Sequence, residues 1–257
     1  MSLLKDLQIL LDRGTKNLVQ FNASKTQSCS LSHKKSTDIH LIFMNGTSLQ
    51  NKESFDLVGV AFKHYLSWHG HITSIATSAA KKLGFLFRAR RYFSSLNLYT
   101  LYVSQIRPCL EYCSHVWGAA PPSTLSILDS IQRKAIRLID DPVLTGRLPS
   151  LAHRRAVGDL SLFYRYFHRL CSEELASIIP PLAARSRVTR GANRMHPYTV
   201  QLQKPRTSHY LRSFIPRVSR LWNSLPADVF PSSPNLQSFK SHINRLHLTS
   251  LQTLTVH

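Results

Sequence analysis

The longest regular pattern of apolar and polar residues begins at Gly70 and has the period of an α-helix. With Ile72 as the origin and about 100° per residue, Lys81 and Arg88 fall on the side opposite to it. Arg90 returns to the apolar side, which predicts a structural role for it. The pattern therefore predicts an amphipathic helix that turns before Ser94 and carries cations on its outer face. The apolar residues within about 60° of Ile72 are Ile75, Ala76, Ala79, Leu83, Leu86 and Phe87.

Further helices are predicted downstream of this one. Residues 96–117 form a second helical run, which Pro108 is expected to kink or break because proline lacks a backbone N–H and clashes with the preceding turn. A third run, 125–139, is predicted to be capped by Ser123 or Thr124. These three helices predict a small bundle. The remaining helical runs are residues 150–179, 214–225 and 236–246.

The N-terminal residues have a different pattern. Residues 3–11 indicate an amphipathic helix that ends near Gly14, and residues 27–32, 39–43 and 55–62 are short β-prone runs. Asn45-Gly46 is the strongest short hairpin signal, because these residue types tolerate the positive φ values of a two-residue type I′ turn. A small antiparallel sheet is therefore predicted in this part of the chain.

These patterns predict an α+β fold that is mainly α, with a small N-terminal antiparallel sheet followed by a helical bundle and further C-terminal helices. Breaks in the pattern divide the chain into five parts. They are the sheet-containing residues 1–69, the bundle 70–140, a helical segment 141–181, a basic loop or arm 182–213 and the terminal helices 214–257.

Composition adds a strong positive charge to this picture. Among 257 residues, 33 Lys and Arg stand against 13 Asp and Glu, for a formal net charge of +20. Acidic residues are absent between Asp56 and Glu111 and again between Glu174 and Asp228, although solvated surfaces usually mix both signs. The charge predicts a polyanionic partner, for which nucleic acid is the candidate. A solvated basic face without a partner is the alternative.

Several classes of protein are disfavoured by the same sequence. No run approaches the roughly 18 apolar residues of a membrane-spanning helix, and residues 1–13 are unlike a secretory signal. The four cysteines show no paired spacing, so free thiols in an intracellular compartment are expected, with nucleus and cytoplasm not distinguished. Gly-x-Ser-x-Gly, His-Glu-x-x-His and Walker motifs do not occur. Hydrolase chemistry and a resident cofactor therefore have no support.

Two short clusters contain residue types that bind metals. Asp140-Asp141 follows a predicted helix, which favours a helix-ending turn over a two-metal site. Cys109, Cys113 and His115 lack an evident fourth ligand, so buried cysteines on a helix are favoured over a zinc site. No metal site is predicted.

Aromatic residues near cations have two interpretations, core packing and stacking on exposed bases. Phe163 and Phe167 recur at helical spacing beside aliphatic residues, which favours core packing. Tyr92 follows Arg90-Arg91, and here neither interpretation is favoured.

A series of longer motifs extends through most of the chain. The first three are NLVQFNASKTQ (17–27), SFDLVGV (54–60) and LSWHGHI (66–72). The next four are AAKKLGFLFRARR (79–91), IRPCLEYC (106–113), LDSIQRKAIR (128–137) and RLWNSLP (220–226). In this order they resemble the end of the reverse transcriptase domain, and the region after it, in non-LTR (LINE-type, jockey-like) retrotransposon polyproteins.

The resemblance implies that residues 1–69 are the end of the polymerase palm and residues 70–140 a thumb-like bundle. The palm turn with the catalytic aspartates would precede Met1, so no catalytic residue is assigned and Mg²⁺ is implied only for the parent polymerase. Phe55, Val58, Gly59 and Val60 correspond to a primer-grip-like hairpin. The implied function is that of a fragment of an RNA-directed DNA polymerase that still binds template and primer.

Lys25 matches a lysine that the family places after the catalytic turn, near the incoming nucleotide or its phosphates. The expected partner is RNA or DNA, in particular an RNA–DNA duplex, and not a membrane. The alternative is a helical structural or protein-interaction remnant that binds unknown protein partners through the aromatic helix near Phe163. The residues predicted to bind nucleic acid are Lys25, Lys81, Lys82, Arg88, Arg91, Arg185, Arg187 and Arg190.

Overall fold

The computed structural model of the chain describes residues 3–32, 42–183, 196–204 and 207–246. Contacts divide it into two compact units, Met1–His71 and Ile72–His257. The first unit contains both β-hairpins and the second is built from helices. The α+β, mainly α fold is therefore confirmed. Within the described ranges, no helix combines the length and the apolar character needed to cross a membrane.

The first unit begins with helix α1 (Leu3–Lys16), which extends slightly beyond the predicted end. Strands β1 (Ile42–Met44) and β2 (Thr47–Leu49) form an antiparallel hairpin. Its two-residue turn is Asn45-Gly46, with φ values of 49° and 75°. Both residues occupy the left-handed region, which is the requirement of a type I′ turn. The hairpin predicted at this dipeptide is confirmed.

A second hairpin is formed by β3 (Ser54–Leu57) and β4 (Val60–Lys63). Val58 and Gly59 make the turn between them, again with positive φ values of 50° and 74°. The two hairpins are separate two-stranded sheets. Residues 27–32 were expected to be a strand and contribute only an isolated bridge. The predicted single sheet is thus split into two hairpins, whose strands have only three or four residues each.

Helix α2 (His69–Ala89) follows the predicted amphipathic pattern, with Ile72 and Ala79 fully buried. Two residues depart from it. Phe87 was expected on the buried face but is 55 % exposed. Arg90 was expected on the apolar side but is exposed, because α2 ends at Ala89 and a 3₁₀ turn, Arg90–Tyr92, replaces the α-helical period.

The second helical run is α3 (Ser95–Leu101), a π-helical turn (Tyr102–Ile106) and α4 (Arg107–Glu111). The Arg107 N–H donates to the carbonyl five residues earlier, which is the π-helical bond. Pro108 lies in the first turn of α4, where its missing N–H is tolerated. The predicted break at Pro108 is therefore absent.

The chain instead breaks at Cys113, whose φ is +52°, and continues into the short helix α5 (Ser114–Trp117). Helix α6 (Pro122–Ile139) follows. It begins at Pro122, because the proline ring already holds the φ of a first helical position. Ser123 and Thr124 are therefore inside α6, and the prediction that one of them caps it is wrong.

Asp140 and Asp141 separate α6 from α7 (Pro142–Thr145). Asp140 has a φ of +50° and ends α6. One carboxylate oxygen of Asp141 accepts hydrogen bonds from the N–H groups of Val143 and Leu144, at 2.9 and 3.1 Å. The predicted helix-ending turn is confirmed, with Asp141 serving as an N-cap.

The remaining helices surround α8, which is capped by Ser150. Aliphatic and aromatic side chains from three of them form one core with the segment 196–200. The helices are α8 (Leu151–Phe167), α9 (Glu173–Ser177), α10 (Ser208–Arg212), α11 (Phe214–Asn223) and α12 (Leu236–Arg245).

Trp222 is the centre of this core. Its ring centroid lies 5.0 Å from that of Phe163 and 4.9 Å from that of Phe230. Phe163 is fully buried and Phe167 packs against the same cluster, so the prediction of core packing is confirmed. Phe163 is consequently not accessible to a protein partner.

The segment 182–213, predicted as a basic loop or arm, is partly in the core. His196 and Val200 are buried, and Leu182 pairs with Val200 in an isolated antiparallel bridge. The Asn223 side chain accepts from the Val200 N–H at 3.0 Å and donates to its carbonyl at 2.8 Å. Arg185, Arg187 and Arg190 lie outside the described residues.

Candidate nucleic-acid interface

Three exposed residues form what we call the outer face of α2: Lys81, Phe85 and Arg88. They occupy positions i, i+4 and i+7, which share one side of a helix. Lys81 and Arg88 are separated by seven residues, or about 10.5 Å along the axis. Phe85 lies between the two cations and is 62 % exposed. The outer face thus alternates charge and aromatic surface.

The buried side of α2 fixes this orientation. Ala76, Ala79, Leu83 and Leu86 are buried on the opposite side of the helix. The helix contains no acidic residue, so nothing within it neutralises the outer face. Burial of the aliphatic side therefore presents both cations to solvent.

Lys82 differs from Lys81 because its ammonium group is already engaged. Its Nζ lies 3.2 Å from the Gln105 carbonyl and 3.1 Å from the Cys109 sulfur. These contacts join α2 to the π-helical turn and α4. The geometry gives Lys82 a packing role that the sequence did not predict.

The turn after α2 carries two stacked arginines. The Arg90 guanidinium carbon lies 4.6 Å from the Phe87 ring centroid, and that of Arg91 lies 4.9 Å from the Tyr92 centroid. Tyr92 is 72 % exposed. Cation–π contacts of this kind are attractive even at exposed sites. The stacked pairs extend the surface of α2 with further cations and rings.

Helix α6 contributes three more exposed cations, Arg133, Lys134 and Arg137. Its buried side, which includes Leu128 and Ala135, faces the opposite way. Lys134 and Arg137 line a groove of about 380 Å³ together with residues of α2. We use the name cationic surface for Lys81, Arg88, Arg91, Arg133, Lys134 and Arg137.

Four acidic residues of the second unit form ion pairs with arginines outside the cationic surface. Arg154 binds Glu111 with two hydrogen bonds, one of them 2.7 Å long, and this contact raises the pKa of Arg154. Arg155 lies 3.8 Å from Asp129, the single acid of α6. Burial lowers the pKa of Arg155, and Asp129 opposes that change. These two carboxylates are therefore paired with the half-buried Arg154 and the buried Arg155.

Two further ion pairs lie outside the cationic surface. Arg217 binds the buried carboxylate of Asp159, and Arg169 lies 3.0 Å from Glu173. Among the described residues, none of the six residues of the cationic surface takes part in an ion pair. The positive charge of that surface is therefore not compensated within the described part of the chain.

The primer-grip-like residues and Lys25 belong to the first unit. Phe55 and Phe62 stack across the second hairpin with centroids 5.1 Å apart, which leaves Val58 and Gly59 exposed at its tip. Lys25 ends a 3₁₀ turn, Ala23–Lys25, and is exposed. The nucleic-acid roles of these residues remain predictions.

Metal ligands are not clustered in the described residues, where no group of three or more His, Cys, Asp and Glu side chains comes together. Cys109 and Cys113 are free thiols and half-buried. His115 is also half-buried, and burial lowers its pKa.

Sequence reasoning identified Lys81, Arg88 and Arg91 but not the rest of this surface. Phe85, on the outer face of α2, was not predicted, although its i+4 spacing from Lys81 places both on one side of the helix. Arg133 and Arg137 also share an i, i+4 spacing opposite the buried side of α6. The pattern of either helix alone did not predict that α2 and α6 line one groove.

One curated relative is similar to part of this chain. It is the "Probable RNA-directed DNA polymerase from transposon X-element" of Drosophila melanogaster, 26 % identical over 124 residues. The match includes 47 % of this chain but spans only 14 % of the relative. No model of a known protein family and no solved structure matches. Over just under half its length, the chain is thus similar to part of a transposon RNA-directed DNA polymerase.

Proposed function

We propose that this chain binds nucleic acid through the cationic surface, as a thumb-like part of a non-LTR retrotransposon reverse transcriptase. The observation that carries the proposal is the outer face of α2, where Lys81 and Arg88 are exposed and unpaired among the described residues. Similarity to a transposon polymerase and the resemblance of motifs 79–91 and 128–137 agree with it.

The mechanism of binding is electrostatic. Two cations about 10.5 Å apart suit phosphates along one strand, and each neutralised phosphate releases condensed counterions. Such contacts position a duplex but carry no direct sequence information. The substrate is accordingly an RNA–DNA duplex bound by its backbone rather than by its bases.

The first unit has a separate part in the proposal. The exposed tip of the second hairpin, Val58-Gly59, is the primer-grip-like contact, and Lys25 contacts a phosphate. Neither assignment involves a catalytic group. Mg²⁺ belongs to the parent polymerase in this proposal.

Replacing Lys81 and Arg88 together with alanine tests the proposal. We expect the double variant to keep its fold, because exposed substitutions change stability by less than about 0.5 kcal/mol. Its affinity for an RNA–DNA duplex should fall for every sequence tested. The slope of log affinity against log salt should become flatter by up to about 2. Fluorescence anisotropy over a salt series measures both quantities.

A matched control removes two exposed cations outside α2 and α6, Arg147→Ala with Arg165→Ala. This variant has the same net charge as the test variant, so a general charge effect would weaken both equally. Equal affinity and salt slope for the Lys81/Arg88 variant and the wild type would rule out the outer face of α2 as the contact.

We expect no nucleotide incorporation by this chain alone. Two-metal phosphoryl transfer needs clustered carboxylates, and Asp140 and Asp141 are used to end α6 and to cap α7. A primer-extension assay with Mg²⁺ and labelled nucleotides measures this. Template-dependent extension that disappears on Asp140→Asn with Asp141→Asn would contradict the expectation.

A further inference from the structure

A groove lined by residues of α2 and α6 lies next to the outer face of α2. It has a volume of about 380 Å³, within the range of roughly 300–1,000 Å³ common for small-ligand sites. Most of its wall is apolar, and cations of α6 form the remainder. The lining residues are Ala80, Leu83, Gly84, Phe87, Lys134, Arg137 and Leu138.

We propose that this groove binds one unpaired nucleotide of a strand that extends beyond the duplex. The base lies against the apolar wall and the Phe87 ring, and its phosphate is held by Lys134 and Arg137. The inference rests on the proposed function, because it names a single-stranded extension as part of the substrate of the same cationic surface.

Small residues on α2 provide the space for a flat base. Gly84 has no side chain, and a methyl group there would meet only Arg88 Nη1, at 3.7 Å. Ala80 is one turn earlier on the same side of the helix. A pair of larger residues at these two positions would fill the groove. The opening is thus a consequence of the sequence Ala80-x-x-x-Gly84.

Phe87 provides the stacking surface. It is 55 % exposed although it lies one turn after the buried Leu83 on α2. The Arg90 guanidinium lies over its ring, 4.6 Å from the centroid, so a planar cation already uses this aromatic face. Bases stack on aromatic rings regardless of their identity. This contact favours an unpaired base over a paired one, whose faces are covered by its neighbours.

Charge favours an anionic occupant, such as a nucleotide, over an apolar peptide. Each charged residue that lines the groove is a cation, and Arg88 of the outer face reaches over Gly84 beside it. A strand bound on the outer face therefore continues into the groove without meeting a carboxylate among these residues. An apolar peptide offers no partner for Lys134 and Arg137.

The test compares two RNA–DNA duplexes of equal length, one blunt and one with a three-nucleotide single-stranded extension. We expect wild-type protein to bind the extended duplex about tenfold more tightly, because stacking of one base contributes a factor of this order. Phe87→Ala removes the ring and Ala80→Leu narrows the groove. Both variants should lose the preference and keep the affinity and salt slope for the blunt duplex. Fluorescence anisotropy over a salt series gives the affinity of each protein for each duplex and the salt slopes.

Tyr92→Ala is the matched control, since it removes an exposed ring that does not line the groove. It should retain the preference. Thermal denaturation tests whether each variant is folded. If either Phe87→Ala or Ala80→Leu does not fold, the other groove variant tests the inference. Three outcomes would overturn the inference: wild type shows no preference for the extended duplex, both groove variants keep that preference, or only Tyr92→Ala loses it.

The two proposals fail in different ways. Absence of blunt-duplex binding by wild type removes the proposed function itself. Normal blunt-duplex binding with no gain from the extension removes only the groove. A fluorescent acidic Leu-rich peptide tests the groove for a protein partner. If the peptide binds wild type but not Ala80→Leu, and neither duplex displaces it, the groove binds a protein and the nucleotide inference is overturned.

Discussion

Trp222→Ala is expected to lower the free energy of unfolding of the second unit by about 3–5 kcal/mol, the cost of removing a large ring from a packed core. Trp222 is fully buried, and its indole N–H donates to the Tyr198 carbonyl at 2.8 Å. Its own carbonyl lies 2.9 Å from the His196 imidazole. The cavity would therefore remove ring contacts and loosen the segment 196–200. Urea unfolding followed by far-UV circular dichroism measures the loss.

Two variants separate burial from aromatic character. Tyr92→Ala removes an exposed ring and should change the unfolding free energy by less than about 0.5 kcal/mol. Trp222→Phe keeps most of the ring but leaves the Tyr198 carbonyl without its donor, so an intermediate loss is expected. A Trp222→Ala variant as stable as Tyr92→Ala would show that the cluster around Trp222 is not the core of this unit.

Asp159→Ala has the second large expected effect. Asp159 on α8 is 1 % exposed and its carboxylate binds Arg217 on α11. Removing one member of a buried ion pair leaves the other charge without compensation, at a cost of about 3–5 kcal/mol. The same urea titration measures this loss. The link between α8 and α11 makes the effect cooperative across the C-terminal helices.

A double variant that removes both charges of this ion pair is the control for Asp159→Ala. Asp159→Leu combined with Arg217→Met should recover most of the stability, since apolar residues of similar volume often replace a buried pair at little cost. Glu173→Ala breaks the exposed pair with Arg169 and should cost no more than about 1 kcal/mol. If Asp159→Ala costs no more than Glu173→Ala, the buried pair does not join the helices.

Helices and turns of this chain were predictable where one local signal determined them. The period of 72–86 placed Lys81 and Arg88 in solvent, and Asn45-Gly46 predicted its hairpin, because neither depends on distant residues. Phe87 was assigned to the buried face, since its angle on the helix is right. Its exposure depends on the distance between α2 and α6 beside Phe87. The period of a single helix carries no information about that distance.

The segment 196–200 shows the opposite limit. It belongs to the stretch 182–213, whose basic composition predicted a loop or arm, and no local pattern indicates that it is buried. The Asn223 side chain holds it through two hydrogen bonds to the Val200 backbone, and the His196 ring contacts the Trp222 carbonyl of α11. Such contacts join residues more than twenty positions apart, and no local pattern encodes them. The groove escaped prediction for the same reason, as it exists only between two helices.

The π-helical turn between α3 and α4 has a consequence for changes in chain length. Leu98, Tyr102, Ile106 and Leu110 are all buried and recur every four residues. In an uninterrupted α-helix each such step rotates by about 40°, so the first and last would point about 120° apart. The wider π turn removes part of this drift and keeps the four on one side. Deleting one exposed residue of this turn, Ser104 or Gln105, would restore the ordinary winding and place Leu110 eleven positions after Leu98, only about 20° from it around the axis. Sequence drift in this stretch can therefore remove one residue without rotating Leu110 out of the core.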